Sequence, residues 1–253
     1  MCIRDSFDTA LWFLVVTQWG VFFGAWALIA WVGARAHWSR GTIGGLILVT
    51  GLGNTSFLGY PLLEALRGRA GLQLGVVADQ LGCFIMLAVG GVLVAARYGG
   101  ATVTPTEMLR RVLLFPAFIA LVVGVIVGQL GGWPDMLATM LDRFALTLVP
   151  LALFSVGLRF KLKPQPGQWA PVALALSWKL LLAPLLALGL ALLTGVGGAV
   201  MSIGILQTAM APMISAAILA DQHHLDPPLA NTVLGVGILL SLITVPLWSL
   251  ALP

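Results

Sequence analysis

Eight runs of predominantly apolar residues, each long enough to cross a bilayer, follow one another along this chain with only short connections between them. A hydrocarbon core of roughly 30 Å needs about 20 such residues per helix. That ruler places spans at about 10–33, 41–66, 70–96, 113–131, 136–158, 168–194, 196–220 and 228–252. The runs are continuously apolar, whereas barrel strands are about 10 residues long and alternate, so the expectation is an all-α integral membrane protein. The charges agree. Only 9% of the 253 residues are charged and 60% are hydrophobic, against about 25% charged in a soluble domain. So few charges cannot clothe a water-soluble fold, which excludes a cytosolic enzyme, a nucleic-acid binder and a disordered chain. The net charge of +4 does not point to nucleic acid either, because the basic residues lie scattered between apolar runs. Cys2 and Cys83 make neither a disulfide framework nor a metal site.

The Lys and Arg residues orient the passes. Loops after the first, third, fifth and seventh spans hold Arg35, Arg40, Arg97, Arg110, Arg111, Arg159, Lys161 and Lys163; the other side holds Arg67 and Arg69, plus Arg4 before the first span. The positive-inside rule then puts the first group in the cytoplasm and, with eight passes, both termini outside. Met1–Ser6 has no apolar core and no cleavage site, so it is not a signal peptide. Residues 1–9 are read as a non-native or truncated leader. The remaining divisions are 10–96, the last three helices of a first repeat; 97–112, a cytoplasmic connection; and 113–253, a second repeat of five helices.

Two spans are interrupted where helix should be continuous. The second carries Gly51-Leu-Gly-Asn-Thr-Ser-Phe-Leu-Gly-Tyr-Pro61, and the seventh carries Gln207-Thr-Ala-Met-Ala-Pro212. Proline removes a backbone donor, and freed backbone groups at membrane depth survive only inside protein or along a wet cavity. Pro61 and Pro212 lie 151 positions apart, and each is followed after 18 or 19 residues by a polar pair, Asp79-Gln80 and Asn231-Thr232. Spans two and seven cross in opposite directions, the relation expected of inverted five-helix repeats in secondary transporters. On that plan eight of ten helices are present and two N-terminal ones are missing.

Gly53-Asn-Thr-Ser-Phe-Leu-Gly-Tyr-Pro61 closely resembles the first crossover motif of the auxin efflux carrier family. Pro150–Leu158, Lys179–Pro184 and Ala209–Pro212 with Ala220-Asp221 are similar to further signature regions, so the likeness covers nearly the whole chain after residue 9. The resemblance implies ten helices in two inverted repeats, related to the bile-acid and sodium symporters, with broken helices crossing at the substrate site. It also implies export or exchange of organic anions, from indole acids in plants to mono- and dicarboxylates in bacteria. The 97–112 connection is too short for the hydrophilic loop of the plant exporters, which favours a bacterial-type carrier in the cytoplasmic membrane.

Asn54, Thr55, Ser56, Gln207, Met210 and Lys179 are thus the expected substrate-binding residues, with Gly53, Gly59, Pro61, Ala211 and Pro212 forming the crossover. Asp79 and Gln80 are the expected ion-coupling residues. Intramembrane charge costs about 2.5–3.5 kcal/mol on insertion scales and is a functional candidate by default, which singles out Asp79 and Lys179. A structural ion pair between helices is the competing explanation. Asp142 and Arg143 read as interface anchors, Glu64 and Arg67 as a solvated helix end. His223-His224 lack the spacing of a helical metal pair, so neither a metal nor another cofactor is expected beyond coupling H⁺ or Na⁺. Trp12, Trp31, Trp38, Trp133, Trp169 and Trp248 read as interfacial belts. Gly20-x-x-x-Gly24 and Gly124-x-x-x-Gly128 permit a homodimer, but among 30 glycines they do not establish one. The expected function is secondary transport of a small organic anion, with no ATP-binding loop in the chain. The alternatives are a sodium-coupled importer of the bile-acid symporter type and an intramembrane enzyme. The second would need a nucleophile–base pair or a metal cluster at depth.

Overall fold

The computed structural model describes residues 9–100, 106, 110, 113–114, 116–157 and 167–252. Most of the leader, Glu107, Arg111, Leu158, Arg159, Lys161 and Lys163 lie outside the described residues. Within them the chain is helical. Helix α1 (Trp12–Arg35) is followed by α2 (Arg40–Gly51), α3 (Gly59–Val77) and α4 (Val92–Gly99). Then come α5 (Pro116–Gln129), α6 (Asp135–Gly157), α7 (Trp169–Ser177) and α8 (Ala183–Thr194). The last three are α9 (Gly198–Thr208), α10 (Ile214–Gln222) and α11 (Pro227–Ala251). Four continuous helical stretches are long and apolar enough to cross a membrane: Trp12–Arg35, Gly59–Gly99, Trp169–Thr194 and Pro227–Ala251.

The 41-residue stretch Gly59–Gly99 is not one straight rod. Gly68 takes φ 68° and ψ −171°, inside α3. Beyond it the Tyr60 hydroxyl donates to Asp79 Oδ2 at 2.7 Å. In a straight helix those residues would stand about 28 Å apart at 1.5 Å per residue. The chain therefore folds back at Gly68, where the sequence places the end of one span and the start of the next.

The ends of the other helices fix their directions. Ser39 caps α2 by accepting from Thr42 N at 3.0 Å, and Thr42 Oγ1 in turn donates to Asp226 Oδ2 at 2.8 Å. Asp226 itself caps α11, with Pro227 and Pro228 in its first turn, where a missing N–H costs nothing. At the opposite end the Arg67 guanidinium donates to Ser202 Oγ (3.1 Å) and to the carbonyls of Ser249 (3.0 Å) and Leu252 (3.2 Å). Arg67 is therefore a clamp onto α9 and α11, not the solvated end its neighbourhood suggested. Together these ties show that α2 with the first half of α3 runs one way through the core, and α9 with α10 runs the other.

Proline positions are accommodated one by one. Pro61 sits in the first turn of α3 and Pro171 in that of α7. Pro184 can donate nothing to the carbonyl four residues back, that of Leu180. The indole of Trp248 supplies the missing donor at 3.0 Å. Trp248 is thus a half-buried brace between α11 and the turn before α8, whereas Trp12, Trp31, Trp133 and Trp169 are exposed as an interfacial belt requires.

Gly68 has open space where a Cβ would go, so only its left-handed backbone resists a side chain. Gly68→Ala is expected to lower stability by about 1–2 kcal/mol, read as a drop in melting temperature in detergent. Gly189→Ala, also in open space but with ordinary helical φ inside α8, is the control and should hold or slightly raise it.

Candidate functional site

Helix α2 stops at Gly51, and Leu52 turns extended (φ −104°, ψ 129°). Helix α9 stops at Thr208, and Met213, just before α10, is extended in the same way (φ −78°, ψ 132°). The two breaks lie against each other as a short antiparallel bridge centred on Gly53 and Pro212. Asn54 N donates to Ala211 O at 2.7 Å, and Met213 N donates to Leu52 O at 3.0 Å. Groups that each helix end leaves without a partner are thus paired with the other break. The crossing is buried: Gly53, Asn54, Thr55, Met210, Ala211 and Pro212 all lie inside the protein.

Asn54 organises the restart into α3. Its side-chain Oδ1 accepts from Leu58 N at 3.2 Å and its carbonyl from Gly59 N at 2.9 Å. Its Nδ2 is left unpaired. Gln207, from the other break, donates through Nε2 to Gly75 O (3.0 Å) and Thr55 O (3.4 Å), leaving Oε1 unpaired. Gly59 makes room for that amide, since a Cβ there would lie 2.9 Å from Oε1.

Asp79 reaches the crossing from the returning helix. Its carboxylate accepts from Thr55 Oγ1, from Tyr60 Oη at 2.7 Å and from Gln80 Nε2 at 2.8 Å. The Gln80 Oε1 is unpaired. Lys179 is fully buried, and its Nζ has no hydrogen-bond partner among the described residues. It points at the break: a Cβ on Gly53 would lie 2.9 Å from Nζ. Cys83 Sγ donates to the Gly53 carbonyl at 3.2 Å from the other side. Asp79 and Lys179 therefore flank the same segment without being hydrogen-bonded to each other.

Both charges ride on π-helical turns, Ala78–Cys83 and Trp178–Leu182. Such bulges in helices are frequent at functional sites. Nothing in the sequence signalled them, and Tyr60 and Cys83 went unassigned although Tyr60 stands inside the quoted motif. A free Tyr one helix turn past an Asn-Thr-Ser cluster was the available signal.

The other candidates make no hydrogen bond to the Asp79 carboxylate among the described residues. Ser56 is half-buried, with its carbonyl accepting from Tyr60 N. Met210 packs in an apolar cluster with Phe13, Leu14 and Ile203. Asn231 and Thr232 bond back to the carbonyls of Pro227 and Pro228 in their own helix, so the second polar pair does not join Asp79-Gln80. Asp142 and Arg143 are exposed. One residue beyond Cys83 and two beyond Met213 opens a cavity of about 630 Å³, with Phe84, Ala88, Ser215 and Leu219 on its walls and Arg110 and Gln222 among its polar groups.

A family model described as a membrane transport protein matches residues 4–249. An uncharacterized transporter of Methanothermobacter thermautotrophicus is 29% identical over 225 residues, covering 88% of this chain and 73% of the relative. An uncharacterized transporter of Methanocaldococcus jannaschii is 26% identical over 212 residues, covering 81% and 67%.

The Tyr60 hydroxyl is one of three donors to a buried carboxylate, and hydrogen bonds to charged groups contribute about 1.5–3 kcal/mol. Tyr60→Phe is expected to destabilise the protein by that amount, measured by thermal unfolding in detergent. A melting temperature equal to the parent's would show that the bond contributes nothing.

Proposed function

The chain belongs to the membrane transport protein family, which includes the auxin efflux carriers, and from that premise we propose that it is a secondary active transporter of a small organic anion. The observation that carries the reading is the buried, unpartnered Lys179 ammonium beside a backbone crossing of two broken helices. A buried ammonium is costly unless an anion pairs with it, and no anionic side chain of the described residues supplies a hydrogen bond to it. Asn54 Nδ2, also unpaired, is a second donor for a carboxylate. Backbone breaks at the midplane of crossing helices are where transporter substrates bind.

The opposed directions of α2 and α9 support two inverted five-helix repeats, eight of whose ten helices would be present. Alternating access then consists of one helix group moving against the other about the crossing, with the cavity beside Phe84 and Ser215 as a route to it. Asp79 is the coupling group, taking up a proton or helping Gln80 Oε1 hold Na⁺. With Arg35, Arg40, Arg97 and Arg110 facing the cytoplasm, both termini lie outside a bacterial inner membrane. A sodium-coupled importer is the second reading, favoured by the oxygen-rich surroundings of Asp79.

The test is counterflow in proteoliposomes holding the full-length protein, with malate, malonate and indole-acetate under imposed pH and Na⁺ gradients. At least one anion should exchange, and Lys179→Gln should abolish it while the protein remains monodisperse. No exchange under any gradient would overturn the transporter reading. Asp79→Asn should weaken the response to the driving gradient at least about tenfold while leaving counterflow measurable. Transport that stays fully gradient-coupled in that variant would remove Asp79 from the coupling role.

A further inference from the structure

We propose that the crossing selects a monocarboxylate bearing a hydroxyl group over a dicarboxylate, a specificity that rests on the anion-transport reading above. The first observation is the charge count around the break. Lys179 is the one fully buried cation of the described residues. Arg67, half-buried at one end of the helices, has its donors engaged by Ser202, Ser249 and Leu252. One carboxylate can therefore be neutralised at the crossing. A second would find no free cation there, and it would share the site with Asp79, whose two oxygens are already held by Thr55, Tyr60 and Gln80.

The second observation is independent of charge. Among the described residues, Lys179 Nζ and Asn54 Nδ2 are donors without a partner, and Gln207 Oε1 and Gln80 Oε1 are acceptors without one. Neighbours fix which end of each amide is which. Gln207 Nε2 is committed to the carbonyls of Gly75 and Thr55, Gln80 Nε2 to Asp79, and Asn54 Oδ1 to Leu58 N. The acceptors cannot become donors by flipping without breaking these bonds. A carboxylate accepts only, so it matches Lys179 and Asn54 but has nothing to offer the Gln oxygens. A hydroxyl donates, and it satisfies one of them. The glycines at 53 and 59 let these two polar ends come up against the broken backbone, since a Cβ at either would lie 2.9 Å from Lys179 Nζ or Gln207 Oε1 respectively.

A site built to hydrogen-bond a hydroxyl rejects the analogue that lacks it, because its own buried groups are then left unpaired. The experiment compares counterflow of lactate, propionate and malonate at neutral pH in proteoliposomes of the full-length protein. Lactate should exchange at least about tenfold faster than either of the others. Gln207→Leu should bring the lactate-to-propionate ratio close to one, whatever its effect on the absolute rates. If that variant fails to fold, judged by gel filtration, Gln80→Met replaces it, and the ranking in the unmodified protein decides alone. Malonate or propionate exchanging as fast as lactate would overturn the hydroxy-monocarboxylate assignment and leave anion transport standing. If none of the three exchanges while malate or indole-acetate does, the assignment also fails. If no anion exchanges at all, the transport reading falls with it.

Discussion

Two backbone hydrogen bonds, Asn54 N to Ala211 O and Met213 N to Leu52 O, allow everything else at the centre of this protein. Each helix end leaves up to four amides or carbonyls without intrahelical partners. In hydrocarbon each such group costs several kcal/mol. A single broken helix could not meet that cost alone at membrane depth. Two breaks placed back to back and antiparallel supply each other with the partners that water would supply at a surface. The extended residues Leu52 and Met213 and the missing side chain at Gly53 follow from the need to bring two backbones within hydrogen-bond distance. Neither helix can be repaired without orphaning groups on the other, so the two breaks form one structural unit.

Around that unit the remaining defects are compensated locally. Pro61 lies in a first turn, where no donor is lost. Pro184 costs the Leu180 carbonyl its donor, and Trp248 restores it from a helix far away in sequence. The same indole thereby steadies the π-helical turn that carries Lys179. On the other side, Asp79 uses both oxygens to tie Thr55 in the break and Tyr60 in the restarted helix to the returning helix. The segment between Gly51 and Gly59 is irregular but held from several directions, as a binding segment at depth must be.

Much of this was legible in residues and spacing. The apolar runs identified a helical membrane protein, glycines with Asn-Thr-Ser and Pro61 marked the first break, and Gln207-Thr-Ala-Met-Ala-Pro212 marked the second. The scarcity of charge made Asp79 and Lys179 conspicuous. What the sequence could not carry was long-range pairing. Arg67 beside Glu64 reads as a wet helix end, yet its partners are a hydroxyl 135 residues away and two carbonyls still farther. Trp248 reads as a belt residue because nothing local shows that Pro184 has freed a carbonyl for it. Asn231-Thr232 matched Asp79-Gln80 in spacing from a proline, but spacing does not fix where a side chain turns. Near the start of α11 both side chains find carbonyls of their own helix. The π turns have no sequence signature, since they depend on which helices are packed alongside.

The two buried charges differ in a way that their positions alone did not reveal. Asp79 is saturated by hydrogen bonds from three neighbours, whereas Lys179 has none among the described residues. Desolvating a charge is tolerable when partners replace water and costly when they do not. A saturated carboxylate can therefore hold the crossing together in the conformation described. An ammonium with no hydrogen-bond partner among the described residues is the costlier of the two to keep charged. On the proposed anion-transport reading, a group that is expensive without an anion and cheap once one arrives makes the crossing favour the loaded form. That difference between empty and occupied states is what a carrier needs if its conformational change is to be coupled to its cargo.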